Sequence, residues 1–292
     1  MHFIPSTKQP PTTPYGFFDD AYTLSSKGYA GQDRMSAKQF VVMGILFLLI
    51  VIASILLRKA KREKLYTIYR VLAIAMPLLE ISKIIFSSYF DIVNGASFNW
   101  GGILPFYTCS MLLYFLPFVA WGKGKMKKWS SAFFATIGLV AGLSNFVYLS
   151  AAGWYPIFTF GCIYSILFHG AIVFVGMSLI ITGEYTPSWI SVRDGMIPVL
   201  MFSAFIIPIN FIIRAYAPDS ANVDYMLLMN CNEFPIIGDF AAFLTSHNLT
   251  ILFTLFMLVV VYPAATAIIV SIEVGLLKLF ALPVRRYQKR TD

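Results

Sequence analysis

Long apolar runs alternate with short polar or basic connections along nearly the whole chain. Crossing the ~30 Å hydrocarbon core of a bilayer takes about 20 helical residues, and several runs reach that length. The pattern predicts seven helices, over roughly residues 40–57, 66–90, 103–121, 130–150, 157–182, 196–216 and 248–277. Connections between them are short apart from one at 217–247, which leaves no room for a soluble domain. The expected fold is all-α and polytopic. A polar arm over 1–39 precedes the membrane domain at 40–277, and a basic tail over 278–292 follows it. No internal repeat is visible.

Composition agrees with this reading. Of the 292 residues, 58% are hydrophobic and 12% charged, about half the charged share of a soluble domain. The net charge of +8 would suit a nucleic-acid partner if it formed one patch, but it does not. "RKAKREK" (58–64), "KGKMKK" (123–128) and "KLFALPVRRYQKR" (278–290) are basic, whereas the connections at 91–102, 151–156 and 217–247 contain no Lys or Arg. The connection at 183–195 holds only Arg193 among such residues. Positive-inside logic then places the N-terminus outside and the C-terminus in the cytoplasm of a cell-membrane protein. Membrane lipids are the expected partners. The arm has no signal-peptide core, and its Phe17, Phe18, Tyr22 and Tyr29 suit a segment lying on the membrane surface. With no Gly-rich phosphate loop, zinc-type Cys/His spacing or EF-hand pattern, neither a cofactor nor a metal is expected.

Ionisable residues inside a bilayer are costly and point to sites. Glu80 and Lys83 share a helix face at i, i+3 spacing, and Ser87 continues it. Asn145 lies in the fourth span and His169 in the fifth, and "PINFIIRAY" puts Asn210 and Arg214 one turn apart in the sixth. With the chain oriented as above, these groups and Cys109 lie between the bilayer midplane and the outer interface. A cavity open to the outer leaflet would look like this. The bland alternative is a structural Glu80–Lys83 ion pair, interhelical hydrogen bonds from the asparagines and an Arg214 that snorkels to headgroups.

Three cysteines, Cys109, Cys162 and Cys231, form no even disulfide framework. Buried cysteines commonly serve as small packing residues. Reactivity needs the thiolate, so a nucleophile within the membrane needs a neighbouring base. His169 is the one histidine inside an expected span, whereas His2 and His247 fall at surface positions. If the third span begins after Asn99 and the fifth near Pro156, Cys109 and His169 lie about ten and thirteen residues deep and, at ~1.5 Å per helical residue, differ in depth by about 5 Å; a later start to the third span widens the gap. Pro77, Pro105, Pro117, Pro198, Pro208 and Pro263 suggest bent helices with room for a cavity between them.

"LPFYTCSMLLYFLP" and, much later, "NVDYMLLMNCNEFP" resemble the YwaF-type bacterial membrane proteins and their eukaryotic relatives, the transmembrane protein 164 group. That family's pattern is Leu-Pro-x-His-Leu-Cys, a histidine on a later helix, and Asn-Tyr-Met-x-Leu with a following proline. The resemblance covers roughly residues 40–275. It implies cysteine-dependent acyl transfer between glycerophospholipids, with Cys109 as acyl-accepting nucleophile and His169 as its base. This chain departs from the pattern at Tyr107, which replaces a histidine and is a poor base near neutral pH, and at Asp224, which replaces an asparagine. On this reading Arg214 or Lys83 holds a lipid phosphate, and Asn145 or Asn210 donates to the oxyanion. The alternative is a carrier or solute-binding subunit, with Glu80, Lys83, Asn210 and Arg214 lining the pocket.

Overall fold

The computed structural model of the protein describes residues 13–29, 36–95, 100–147, 155–217, 223–229 and 235–279. The described residues form helices and loops, with no strand among them. A short helix α1 (Ala21–Ser26) lies in the arm and is capped by the Asp20 carboxylate. Helix α2 (Ala37–Arg58) starts at Ser36, whose hydroxyl accepts from the Gln39 N–H, and ends at a basic residue, both favourable placements. Next come α3 (Arg62–Val93), α4 (Trp100–Ile103), α5 (Met111–Ala120), α6 (Gly124–Ala135) and α7 (Ile137–Val147). The chain continues through α8 (Phe160–Ile181), α9 (Ile190–Tyr216) and α10 (Pro235–Ser246) to α11 (Thr250–Phe256) and α12 (Tyr262–Leu279). A π-helical turn, Met257–Val261, joins the last two.

Among the described residues, six helical stretches are long and apolar enough to cross a membrane: Ala37–Arg58, Arg62–Val93, Gly124–Val147, Phe160–Ile181, Ile190–Tyr216 and Thr250–Leu277. The protein is an all-α, multi-pass membrane protein. Helix α2 shows what solvates it. Ile45, Leu48, Leu49, Ile52 and Leu56 are exposed along its length, a face that only lipid tails would cover.

Three expectations need correction. No continuous helix runs over 103–121. Residues 104–110 are irregular, and only the ten residues of α5 are helical beyond them. Pro105 lacks the N–H that would continue the turns of α4, and the segment finds side-chain partners elsewhere in the bundle. The connection at 217–247 is not simply a loop, because it contains a buried turn (Tyr225–Leu227) and α10. The expected span at 130–150 is also broken, at Thr136 (φ −123°, ψ −100°), between α6 and α7.

The centre of the bundle is α6 with α8 and α9. A Cβ on Gly176 of α8 would lie 2.4 Å from the Phe134 carbonyl oxygen, and one on Gly195 of α9 would lie 2.3 Å from the Thr136 hydroxyl. Small residues thus let backbones touch, as membrane helices favour. Phe133, Phe134, Ile172 and Val199 are fully buried around these contacts.

Contacts between connections sort the helix ends into two groups. At the basic end Arg62 and Glu184 form a 2.9 Å ion pair, Tyr66 donates to Glu184 at 2.9 Å and Lys128 meets Asp194 at 2.8 Å. At the opposite end the arm docks on α3 and α8. The Phe160 N–H donates to the Phe17 carbonyl at 2.8 Å, Tyr22 donates to Asp91 at 3.3 Å and the Phe17 ring meets Phe160 edge-on with centroids 6.3 Å apart.

Candidate functional site

Two irregular segments meet inside the bundle. The first, 104–110, tightens into three-residue turns as it approaches α5: Ser110 N–H donates to Tyr107 O at 2.9 Å and Leu112 N–H to Cys109 O at 3.2 Å. Cys109 therefore sits immediately before the first turn of α5, half-buried and with a free thiol.

The second segment, 223–229, is almost completely buried, although buried irregular backbone in a membrane protein must be fully hydrogen-bonded. Side chains from the neighbouring helices satisfy it. The Asn210 amide donates to Tyr225 O at 3.1 Å and accepts from Tyr225 N–H at 3.0 Å. The Arg214 Nε donates to Val223 O at 2.8 Å, Thr254 donates to Leu228 O at 2.8 Å and Tyr262 donates to Met226 O at 2.6 Å. Met226 and Leu227 have positive φ, 61° and 55°, a conformation that costs non-glycine residues energy and tends to occur at functional sites.

The segments are linked directly. The Tyr225 ring packs edge-on against Phe106 and Tyr107, with centroids 5.4 Å away in each case, and its hydroxyl donates to Trp100 O. Thr108 and Tyr262 hydroxyls are 2.7 Å apart. Since Tyr262 donates to Met226, it accepts from Thr108.

Beside this junction lies a cavity of about 480 Å³. Tyr107, Thr108 and Cys109 form one wall, and His169 of α8 contributes another side chain. Helix α7 presents Ile137, Val140, Ala141, Ser144 and Asn145, the face expected of a helical repeat. Leu227 and Ile237 add to the lining, as do Met257, Val261, Tyr262 and Ala265 along the π turn and α12. Such turns recur at functional sites. The His169 Nδ1 lies 2.8 Å from the Ser165 carbonyl. A carbonyl can only accept, so Nδ1 carries the proton and Nε2 keeps its lone pair.

The eight residues singled out from the sequence divide evenly. Tyr107, Cys109, Asn145 and His169 line the cavity. Asn210 and Arg214 hold the 223–229 segment instead, and Glu80 is bound by Lys83 at 3.3 Å and by the Tyr164 hydroxyl. The carrier reading thus finds its four pocket residues outside the lining. Thr108, Ser144 and Tyr262 are lining residues the sequence did not single out, since hydroxyls in apolar runs carry no distinguishing pattern. Glu273 was also passed over. It lies apart from the cavity, buried, and neither of its oxygens has a hydrogen-bond partner among the described residues. Cys162 is fully buried on α8, His247 is exposed, and Cys231 and His2 lie outside the described residues. No three His, Cys, Asp or Glu side chains among the described residues come together as a metal site.

Helices of this length around a mainly apolar cavity define a multi-pass membrane protein with a cavity between its helices. The chain belongs to the TMEM164 family, whose model matches residues 34–269. That range includes both irregular segments and every residue of the cavity wall. No curated protein and no solved structure matches the chain.

Proposed function

We propose that the protein is a cysteine-dependent acyltransferase acting on membrane phospholipid, with Cys109 as nucleophile and His169 as general base. One observation carries the reading: Cys109 and His169 line the same cavity, and the Nδ1 bond to Ser165 leaves Nε2 available to take a proton. In the first half-reaction His169 removes the Cys109 proton and the sulfur attacks the ester carbonyl. The carbon–oxygen bond of the ester breaks, a thioester forms, and His169 returns the proton to the departing lysolipid hydroxyl. An acceptor hydroxyl then gives its proton to His169 and attacks the thioester, and the thiol is restored. Asn145 and the amides beside Cys109 are the candidate donors to the oxyanion.

The chain lies in the cell membrane with the basic end in the cytoplasm, and it crosses seven times, with 100–120 as the broken third crossing. The arm is then extracytoplasmic and lipid reaches the cavity from the outer leaflet. The test is incubation of the purified protein with phospholipid carrying a labelled acyl chain. A hydroxylamine-sensitive label on Cys109 is expected, lost in Cys109→Ser and reduced by roughly 10²–10⁴-fold in His169→Ala. No label on the wild-type protein, together with full function in cells carrying only Cys109→Ser, rules the reading out.

A further inference from the structure

The cavity has a direction. On α7 its polar residues, Ser144 and Asn145, lie at the end away from the basic face, and its apolar ones begin at Ile137, beside the break at Thr136. Ile137 and Asn145 are eight residues apart, about 12 Å along a helix. On the other wall Ala265 lies towards the basic end and Met257 away from it, while Ala141 and Ala265 leave space where larger side chains would fill it.

A methylene group takes about as much room as a water molecule, ~30 Å³, so a cavity of about 480 Å³ has space enough for one linear hydrocarbon chain of about sixteen carbons.

We propose that the cavity is a single-chain acyl pocket that measures chain length. The chain's ester end lies among Cys109, Ser144 and Asn145, and its methyl end points at the floor formed by Ile137, Ala141 and Ala265. The proposal rests on the acyl-transfer reading for its orientation, but the pocket itself is a binding site and can be tested without chemistry. The chain arrives as one tail of a phospholipid or as a free fatty acid, and both are hydrocarbon chains ending in an acyl group.

The experiment uses the Cys109→Ser protein in nanodiscs with hexadecanoic acid bearing a diazirine at its terminal carbon, and in parallel a phospholipid carrying that tail. After photolysis, labelled peptides are expected to include 137–141 or 261–265. Labelling from either probe supports the pocket and identifies the lipid that delivers the chain. Unlabelled hexadecanoic acid should compete at least about tenfold better than docosanoic acid, which is too long, because a single misplaced methylene already costs that much. Ala141→Phe and Ala265→Phe, each checked for unchanged thermal unfolding, should shift the preference towards decanoic acid by a similar factor.

Label confined to lipid-exposed positions such as Leu48 and Ile52 of α2 overturns the proposal. Two folded variants with unchanged chain preference do so as well. Failure of acyl transfer reads differently: the crosslink at the floor persists while no hydroxylamine-sensitive label forms on wild-type Cys109. If Cys109 is acylated equally by chains of every length, acyl transfer stands and the length-measuring pocket falls.

Discussion

The α6–α8–α9 scaffold and the cavity wall beside it are built from the same kind of apolar sequence, yet they use it in opposite ways. In the scaffold Gly176 and Gly195 bring helix backbones into contact with Phe134 and Thr136, and no room remains. At the cavity the helices stop short or change pitch, at 104–110, at Thr136 and at Met257–Val261. The irregular 223–229 segment packed beside these breaks has its backbone bonded by Asn210, Thr254 and Tyr262. Space inside this bundle thus goes with broken helices, and the buried non-helical segment next to it takes its polar partners from elsewhere in the chain.

The largest effect should come from removing one of those side chains. Asn210→Ala leaves the buried N–H and C=O of Tyr225 unsatisfied, at about 1–3 kcal/mol each. The midpoint of thermal unfolding should fall, and alkylation of Cys109 by a permeant maleimide, measured in a Cys231→Ser background, should change. Gly176→Ala attacks the other region. A methyl group against the Phe134 carbonyl overpacks the scaffold at a cost of about 1–3 kcal/mol, and a lower unfolding midpoint with Cys109 alkylation unchanged would separate the two regions. If both substitutions alter alkylation equally, the division between scaffold and cavity is wrong.

Tyr262→Phe is a smaller perturbation, removing the two hydrogen bonds of one hydroxyl at about 1 kcal/mol each. It unties Thr108 from Met226, so faster amide exchange is expected in both 104–110 and 223–229. Exchange restricted to one of them would show that they are not coupled. The smallest effect concerns the arm. The Lys27 ammonium and the Gly16 amide hold the Asp19 carboxyl below its usual range. A lowered carboxyl pKa stabilises the fold above the ordinary value, and that stability is lost as pH falls through the lowered one. For a solvent-screened pair this amounts to about 0.2–1 kcal/mol. Protection of the amides over 16–28, relative to their intrinsic exchange rates, should fall as pH drops below about 4 in the wild-type protein, and Lys27→Ala should show the lower protection already near neutral pH.

Much of the bundle was legible because hydrophobic length reports directly on crossing. The expected helix at 157–182 corresponds to Phe160–Ile181, and that at 40–57 to Ala37–Arg58. The breaks were not legible. Pro105 hinted at one and Pro263, just beyond the π turn, at another, but Thr136 carries no proline or glycine of its own, and its break depends on packing against a distant helix. The same limit applies to the site. Sequence placed Cys109, Asn145, His169, Asn210 and Arg214 at similar depth, yet depth does not tell which way a side chain faces. Asn210 and Arg214 turn to the 223–229 backbone, 15 and 9 residues away from the groups they bond. The hydroxyl that joins the two irregular segments comes from Tyr262, 154 residues beyond Thr108.

The π turn carries a consequence for how this family can vary. An α-helix advances about 100° per residue, and the wide turn at Met257–Val261 absorbs one residue more than an α-helical turn would. Loss of a single residue there would let the helix close into regular turns while rotating everything beyond it by about that angle. Tyr262 would swing away from Thr108 and Met226, although no contact residue had been substituted. Sequences that keep the tyrosine but not the spacing would therefore keep the helix and lose the junction, so the interval between residues 257 and 262 is as much a part of the site as the side chains on either side of it.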